Sequence, residues 1–188
     1  MKKISFVVPV FNEEENIHEF HRRLTQVMAP LPYDYEILFI DDGSKDRTSQ
    51  LIRELAEKDP HVQGYVFARN FGHQLALTCG LDQSTGDAVI SMDGDLQHPP
   101  EMVPELLKKW EEGYEIVQTV RKATEDATWF KNITSRLYYK LINSMSEVRV
   151  TPGGSDFRLM DRKAVDALNR FRERGHNAPL FPVCYHLG

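Results

Sequence analysis

AVISMDGDLQHPPE, residues 88–101, carries the strongest structural signal of the chain. Its first five residues predict a buried β-strand, and Asp93 and Asp95 follow at the carboxyl end of that strand. Pro99 and Pro100 stop the strand and suit the first turn of a following helix. Two carboxylates one residue apart repel each other unless a cation lies between them, and such hard oxygen ligands suit Mg²⁺ or Mn²⁺. The alternative is a solvated Asp-Gly turn, which is common in hairpins.

On both sides of this stretch, β-rich runs alternate with helical patterns. Strands are predicted over 4–10, 35–40, 62–68, 88–92 and 115–120, and helices over 13–28, 46–58, 74–83 and 100–112. Asn12 is expected to cap the first helix. The alternation predicts an α/β fold with an open, mostly parallel sheet and helices on both faces. Because ligands of such sheets bind beyond the carboxyl ends of the strands, Asp41-Asp42 and Asp93/Asp95 are expected at one edge.

Beyond residue 120 the pattern is less regular. A helix is predicted over 129–145, a short strand over 156–160 and a helix over 162–171. Residues 180–188 are apolar and predict no closing element. We therefore expect a single domain over 1–188 that is truncated at its C-terminal end.

Composition restricts the functional classes. The 188 residues carry a net charge of −5, with 41% hydrophobic and 27% charged residues, which is typical of a globular domain and offers no basic field for nucleic acid. No apolar run approaches the roughly 20 residues of a membrane span. Met1-Lys2-Lys3 leads directly into a strand and shows no signal peptide. Cys79 and Cys184 lack metal-ligand spacing and are expected to be free thiols in a reducing compartment.

The strand ends favour a nucleotide site that lacks the common glycine-rich phosphate loops. Neither G-x-G-x-x-G nor G-x-x-x-x-G-K-[ST] occurs, which argues against dinucleotide binding of the Rossmann type and against a P-loop hydrolase. The first strand ends instead in PVFNEE, residues 9–14. An acid there can accept hydrogen bonds from a ribose, and Asp41 or Asp42 can accept one from a base N–H. Alternatively, Asp42-Gly43-Ser44 can form an Asx turn that caps the next helix. The two interpretations are compatible if one aspartate caps the helix while the other binds the nucleotide.

Several motifs together point to a known family. They are PVFNEE (9–14), IDDGS (40–44), RNFG (69–72) and MDGDLQHPPE (92–101), in that order. With these motifs the chain resembles the family 2 inverting glycosyltransferases, which have a GT-A fold, and the resemblance covers nearly the whole chain. The D-x-D-L-Q-x-P-P-E block, SRLYYK (135–140) and GSDFRLM (154–160) are similar to the branch that charges polyprenyl phosphates. That branch includes dolichol-phosphate mannose synthases and bacterial undecaprenyl-phosphate glucosyltransferases.

The resemblance implies a role for each motif. The residues implied for the nucleotide sugar are Pro9, Phe11, Glu13, Asp41, Asp42 and Asp93. Asp95, with Gln97 nearby, would bind the divalent cation, Mg²⁺ or Mn²⁺, on the diphosphate. The residues implied for the acceptor phosphate are Arg121, Ser135 and Arg136. Asp156 would lie near the reacting face of the sugar, so the candidate catalytic residues are Asp156, Asp93 and Asp95.

The activity implied is inverting, metal-dependent transfer of a hexosyl group from a nucleotide sugar to undecaprenyl phosphate, with UDP-glucose as the first donor considered. GDP-mannose or another UDP-sugar, with dolichyl or another polyprenyl phosphate, is the alternative. The nucleotide-binding half would span about 1–95 and the acceptor-binding half about 96–188. A phosphomonoester has a second pKa near 6, so its oxygen is already nucleophilic at neutral pH and needs no strong base.

The resemblance also implies a location. Members of this branch usually continue into an amphipathic helix and membrane helices. We therefore expect a soluble fragment of an enzyme at the cytoplasmic face of the inner or plasma membrane, attached through a missing C-terminal segment. Nucleic acid is not an expected partner, and a homo-oligomer is left open.

Two other α/β classes are alternatives. A receiver domain, a non-catalytic binding module, would carry its acid pair after the first strand and a Lys before a Pro after the fifth. Here the first strand ends in Asn-Glu-Glu and the fifth continues into Arg121. A D-x-D phosphatase would carry its pair on the first strand with Thr or Val two residues later, where this chain has Gln97 on the fourth strand.

Two histidines stand beside the motif residues. His73 follows the RNFG motif and His98 lies inside the D-x-D block. No His-x-x-x-His pairing supports a zinc site. Both are expected to be structural or to contact the edge of a substrate.

Overall fold

In the computed structural model of the chain, residues 1–120, 154–175 and 184–187 are described. The chain divides into two units, residues 1–117 with 157–188 and residues 118–156. Of the second unit, residues 118–120 and 154–156 are described, and each group is the end of a strand. The helix predicted over 129–145 lies outside the described residues.

Strands and helices alternate along the described residues. The strands are β1 Lys3–Val10, β2 Asp34–Asp41, β3 Val62–Phe67, β4 Ala88–Ser91, β5 Ile116–Val120, β6 Gly154–Asp161 and β7 Cys184–Leu187. The helices are α1 Ile17–Met28, α2 Thr48–Ala56, α3 His73–Gln83, α4 Val103–Glu111 and α5 Arg162–Gly175, and a 3₁₀ turn, Pro100–Met102, precedes α4. Each element predicted within the described ranges is present, with its ends shifted by up to four residues. None of the described helices combines the length and hydropathy that crossing a bilayer requires.

The described strands form one sheet in the order β5-β6-β4-β1-β2-β3-β7. Its centre is parallel, because β1 pairs in parallel with β2 and β4, and β2 pairs in parallel with β3. β6 pairs antiparallel with β4, and β7 pairs antiparallel with β3. The predicted open, mostly parallel sheet is confirmed. The absence of a closing element after residue 180 was a wrong prediction, since Cys184–Leu187 is a strand.

Helices cover both faces of the sheet, as the sequence predicted. Successive strand residues point to opposite faces, so alternate residues of β1 meet different helices. Phe6 packs in a core with Phe20 of α1 and Leu106 of α4, and α2 adds to the same face. Val7 packs in a second core with Leu77 of α3, and α5 adds to that face. The Cys79 side chain of α3 is buried, as expected.

A buried carboxylate joins the strands at the amino-terminal edge of the parallel sheet. Glu36 of β2 is 2% exposed and accepts hydrogen bonds from Lys3 Nζ (2.7 Å), Ser5 Oγ (2.6 Å) and the Thr85 backbone N–H (2.8 Å). Burial alone would raise the pKa of the Glu36 carboxyl, but these donors outweigh it and hold the pKa below its ordinary value. The cluster ties β1, β2 and the start of β4 together at the edge opposite the candidate site.

Candidate active site

The candidate site lies where the central strands diverge. The β1–β4 pairing ends at Val7 and Ser91, whereas the β1–β2 pairing continues to Val10 and Asp41. The chain runs from β1 outward to β3 and then returns to β4 on the other side of β1. This reversal of strand order is the position at which open α/β sheets bind ligands.

Pro9 fits this divergence. Val7 O accepts a hydrogen bond from Met92 N on the β4 side, and Val10 O accepts one from Asp42 N on the β2 side. The alternation of a strand therefore directs the Pro9 nitrogen toward β4, beyond the last pair of that ladder. A proline in this central strand consequently removes no ladder hydrogen bond.

The loop after β1 (residues 11–16) and the loop after β2 (residues 42–47) are joined by hydrogen bonds in both directions. Five bonds connect the first loop to the second loop and the first residue of α2: Asn12 N to Ser44 Oγ, Lys45 N to Asn12 Oδ1, Glu13 N to Thr48 Oγ1, Glu14 N to Asp46 Oδ2 and Arg47 N to Glu14 Oε2. Their lengths run from 2.9 to 3.2 Å. The two loops therefore behave as one folded unit.

Asn12 serves these loops rather than the helix. α1 begins at Ile17, with Asn16 at the N-cap position, so the predicted cap at Asn12 is wrong. Asn12 has a φ of 55°, a left-handed conformation that Asn tolerates better than most residues. The backbone N–H of Glu13 is bound by Thr48 Oγ1 at 2.9 Å, and residues 14–16 form a turn that precedes α1.

Asp41 and Asp42 are both buried, 0% and 3% exposed, and hold different loops. Asp41 accepts hydrogen bonds from Ser44 N at 2.9 Å and from the Ser49 hydroxyl. Asp42 accepts hydrogen bonds from Phe71 N at 2.7 Å and Gly72 N at 2.9 Å. The capping aspartate of the β2–α2 turn is therefore Asp41, and Asp42 connects this turn to the loop before α3.

Asp46 caps α2. Its carboxylate accepts hydrogen bonds from the backbone N–H of Thr48 at 3.0 Å and of Glu14 at 3.2 Å. Burial acts to raise the pKa of Asp46, but the bonds from Thr48 and Glu14 prevail and lower it. The carboxylate thus stays ionised at neutral pH, where it also suits the positive end of the helix dipole.

Gly43 permits a close approach between two loops. Its φ is +72°, and a Cβ atom there would lie 2.7 Å from Arg69 Cα and from Asn70 N, with the Arg69 carbonyl carbon closer still. Only glycine avoids both the conformational cost and this overlap with backbone. Beside it, the Arg69 guanidinium stacks over the Phe71 ring, 4.5 Å from the ring centre.

The D-x-D turn lies against the end of β1. A Cβ at Gly94 would be 2.6 Å from Val10 Cγ1, so the turn approaches β1 more closely than a side chain would allow. Leu96 has a φ of 61°, and Asp95 Oδ1 accepts a hydrogen bond from Gln97 N at 3.0 Å. These features reverse the chain within a few residues and leave Asp95 partly exposed.

Asp93 lies between the two histidines. His73 Nε2 is 3.7 Å from Asp93 Oδ1, and His98 Nδ1 is 3.7 Å from Asp93 Oδ2. The side chains of His73 and Asp93 are 39% and 30% exposed, whereas that of His98 is 8% exposed. The His98 ring packs on Phe157 of β6, with ring centres 5.5 Å apart. The structure therefore makes both histidines neighbours of a predicted site residue.

The remaining predicted site residues are placed as follows. Phe11 is 41% exposed at the end of β1, and Glu13 is partly buried, with Oε2 accepting a hydrogen bond from Asn16 Nδ2 at 2.6 Å. Gln97 is exposed in the D-x-D turn, and Asp156 is partly exposed in β6, in the second unit. Arg121, Ser135 and Arg136 lie outside the described residues. Within the described part of the chain, no group of three or more His, Cys, Asp and Glu residues is arranged to hold a metal ion.

Two hydroxyl residues were missed by the sequence reasoning. Thr48 and Ser49, at the start of α2, bind the Glu13 N–H and the Asp41 carboxylate. The available signal was their position at a helix start beside acidic strand ends, which is where Ser and Thr often bind neighbouring backbone. That signal does not reveal which partner each residue takes.

Comparison with known proteins places this site in a family. A model described as Glycosyl transferase family 2 matches residues 5–168. The chain belongs to glycosyl transferase family 2. An uncharacterized glycosyltransferase of Bacillus subtilis, YkcC, is 46% identical over 170 residues, covering 90% of this chain and 53% of that protein. The bactoprenol glucosyl transferase of Shigella phage SfX is 45% identical over 172 residues, covering 92% of this chain and 56% of that protein.

A solved structure shows the same fold. The mannosyltransferase PcManGT of Pyrobaculum calidifontis, in complex with GDP-Man and Mn²⁺, matches with a TM-score of 0.58 at 20% identity, covering 89% of this chain and 46% of that one. The fold is that of the GT-A glycosyltransferases, as the sequence predicted. Family 2 membership sets aside the receiver module and the D-x-D phosphatase. The chain spans about half the length of the curated relatives that it matches.

Proposed function

We propose that this family 2 glycosyltransferase transfers a hexosyl group from a nucleotide sugar to a polyprenyl phosphate, with inversion at the anomeric carbon. The observation that carries the proposal is the set of interlinked loops at the carboxyl edge, with Asp93 and Asp95 in the turn against the end of β1. The name of the phage relative, a bactoprenol glucosyl transferase, supports the lipid acceptor and makes UDP-glucose the first donor to test.

The donor nucleotide would lie against the joined loops. Phe11, two residues after Pro9, offers an exposed ring, and Glu13 offers a carboxylate oxygen for a ribose hydroxyl. Asp41 and Asp42 fix the shape of this surface through the turn and loop hydrogen bonds that they accept. A direct contact from either aspartate to the base stays a prediction.

The D-x-D turn fits a divalent cation. Mg²⁺ and Mn²⁺ prefer oxygen ligands and are commonly held by one or two carboxylates together with substrate phosphates. Asp95 is partly exposed and, since Asp95 Oδ1 takes the Gln97 N–H, its other oxygen is directed elsewhere. Asp95, with Gln97, would hold the cation, which when bound supplies neutralisation of the diphosphate leaving group.

The acceptor needs positioning more than activation. A phosphomonoester oxygen is largely deprotonated at neutral pH and is a competent nucleophile. Arg121, Ser135 and Arg136 would receive this phosphate, because guanidinium groups bind phosphate oxygens in pairs and set the direction of attack. Asp156 would orient the sugar or the nucleophile, and base catalysis by Asp156 is the second choice. Positioning and electrostatic stabilisation would then supply most of the rate.

The acceptor also determines where transfer takes place. A polyprenyl phosphate is a membrane lipid, so its phosphate is reached at a membrane surface. Nucleotide sugars are cytoplasmic metabolites, and we therefore propose the cytoplasmic face of the membrane as the site of reaction. The donor base and the choice between Mg²⁺ and Mn²⁺ are decided by the experiment below.

The test is a binding panel followed by a transfer assay. Thermal shift and calorimetry with UDP-glucose, UDP-N-acetylglucosamine and GDP-mannose, each with and without Mn²⁺ or Mg²⁺, should show one preferred donor whose binding requires the cation. Transfer from that donor to undecaprenyl phosphate in detergent should then yield the inverted lipid-linked sugar. If no nucleotide sugar binds under any of these conditions, the proposed function is wrong.

A further inference from the structure

The arrangement of His73, Asp93 and His98 carries an inference beyond the roles assigned above. Each carboxylate oxygen of Asp93 faces one imidazole nitrogen at 3.7 Å. The two nitrogens differ: His73 presents Nε2, whereas His98 presents Nδ1. A shift of about 1 Å on either side would convert each approach into an ordinary hydrogen bond.

His98 is held in place by its surroundings. The left-handed Leu96 and the Asp95–Gln97 hydrogen bond fold the turn back on itself, which brings His98 under Asp93. Its ring is buried against Phe157, the residue that follows Asp156 in β6. His98 therefore cannot leave Asp93 without disturbing packing at the end of β6.

His73 is held from the other direction. It is the first residue of α3 and directly follows Gly72, whose N–H is bound by the buried Asp42 at 2.9 Å. Asp42, which connects the β2–α2 turn to the loop before α3, thus also sets the position of His73. Asp93 is placed between a histidine fixed by the nucleotide-side loops and a histidine fixed by β6.

We infer that His73 and His98 are positioning residues that hold the Asp93 carboxylate in the orientation needed for the donor sugar. This inference rests on the proposed function. A neutral imidazole carries one N–H, so each ring can donate one hydrogen bond to one oxygen of Asp93, and the two bonds together would fix the plane of the carboxylate. Hydrogen bonds of this kind are often long without substrate and tighten when it binds.

The different ring nitrogens make the inference sharply testable. The amide nitrogen of Asn lies near the position of a histidine Nδ1, and that of Gln lies near the position of Nε2. His98→Asn and His73→Gln should therefore keep the donor affinity within about threefold of wild type. His98→Gln and His73→Asn should weaken it about tenfold, which corresponds to one lost hydrogen bond of roughly 1.4 kcal/mol.

The assay measures donor affinity by calorimetry with UDP-glucose and Mn²⁺, the KM of donor and acceptor separately, and the melting temperature. The donor affinity should fall and the donor KM should rise, while the acceptor KM stays unchanged. His18, exposed on α1, supplies the matched control, because His18→Asn and His18→Gln should both bind donor like wild type. If Asn and Gln behave alike at each of positions 73 and 98, or if their effects follow the melting temperature alone, the inference is refuted.

A readout without ligand separates this inference from the proposed function. ¹⁵N NMR of the imidazoles should show His98 protonated on Nδ1 and His73 on Nε2, and Asp93→Asn should shift both signals while leaving His18 unchanged. A His98 ring bearing its proton only on Nε2, or signals insensitive to Asp93→Asn, would overturn the arrangement. Failure of wild type to bind any donor would instead reject the proposed function, with the NMR result still deciding the geometry.

Discussion

Gly43→Ala should destabilise the protein and loosen the loops of the site. The alanine would adopt a φ of +72°, a left-handed conformation that costs an L-residue about 1 kcal/mol. Its Cβ would lie 2.7 Å from Arg69 Cα and Asn70 N, where ordinary contact begins near 3.4 Å. The obstructing atoms are backbone, so the loop before α3 must move by roughly 0.7 Å or more, a strain of about 1–3 kcal/mol.

The expected total is about 2–4 kcal/mol in the free energy of unfolding, or roughly 5–15 °C in melting temperature for a chain of this size. The same movement would stretch the hydrogen bonds that Asp42 accepts from Phe71 and Gly72. Nucleotide-sugar affinity should therefore fall together with stability. Urea unfolding and calorimetry measure the two quantities.

Gly113→Ala is the matched control for this prediction. Gly113 has a φ of +98°, but a Cβ there would meet nothing within 4 Å. Gly113→Ala should therefore lower the free energy of unfolding only by the cost of the left-handed backbone conformation, about 1 kcal/mol. Its donor affinity should equal that of wild type. If Gly43→Ala and Gly113→Ala destabilise the chain equally, the close approach of the two loops does not hold the site together and the reasoning fails.

Three further predictions concern the buried carboxylate, the cation and the acceptor. Glu36→Gln should lower the free energy of unfolding by about 2 kcal/mol at pH 7. Because the pKa of Glu36 is lowered in the folded state, the stabilisation by its carboxylate is present above the unfolded-state pKa and is lost on acidification. In urea unfolding, the difference in free energy between wild type and variant should therefore shrink below roughly pH 4. Asp95→Asn should weaken Mn²⁺-dependent donor binding at least tenfold (about 1.4 kcal/mol) in calorimetry, with Asp34→Asn at the opposite edge as control; unchanged affinity would count against the cation site. Arg136→Ala should raise the acceptor KM roughly tenfold more than the donor KM, as expected for loss of a charge-assisted phosphate contact; equal increases in steady-state assays would refute that role.

The sequence predicted the parallel centre of the sheet well because each strand there is signalled locally. Apolar β-rich runs such as 88–92 end in Asp, Gly or Pro, and the βα alternation then fixes the parallel direction. It did not predict that β6 would lie between β5 and β4, because that placement depends on antiparallel pairing across a long stretch of chain. β7 was missed for the same reason, since its four residues become a strand only through pairing with β3.

The candidate site was predictable as a location but not as a network. The rule that ligands bind at the carboxyl ends of strands placed Asp41, Asp42 and Asp93 at one edge. The partners of Asp42, however, are backbone amides 29 and 30 residues away, and no local pattern specifies them. The position of His98 beside Asp93 likewise depends on the left-handed conformation of Leu96, which the sequence does not predict because leucine rarely adopts it.

The aspartates of this edge divide into two physical classes that the sequence cannot separate. Asp41 and Asp42 are buried, and each accepts two hydrogen bonds from the surrounding turn and loop, so replacing either leaves donors unsatisfied and should chiefly reduce stability. Asp93 and Asp95 are partly exposed in a turn whose backbone is held by Gly94 and its contact with β1, so replacing either should chiefly reduce affinity for donor and cation. All four are aspartates at or just after the carboxyl end of a strand. What distinguishes Asp41 and Asp42 is that backbone N–H and hydroxyl groups of the neighbouring segments bind their buried carboxylates.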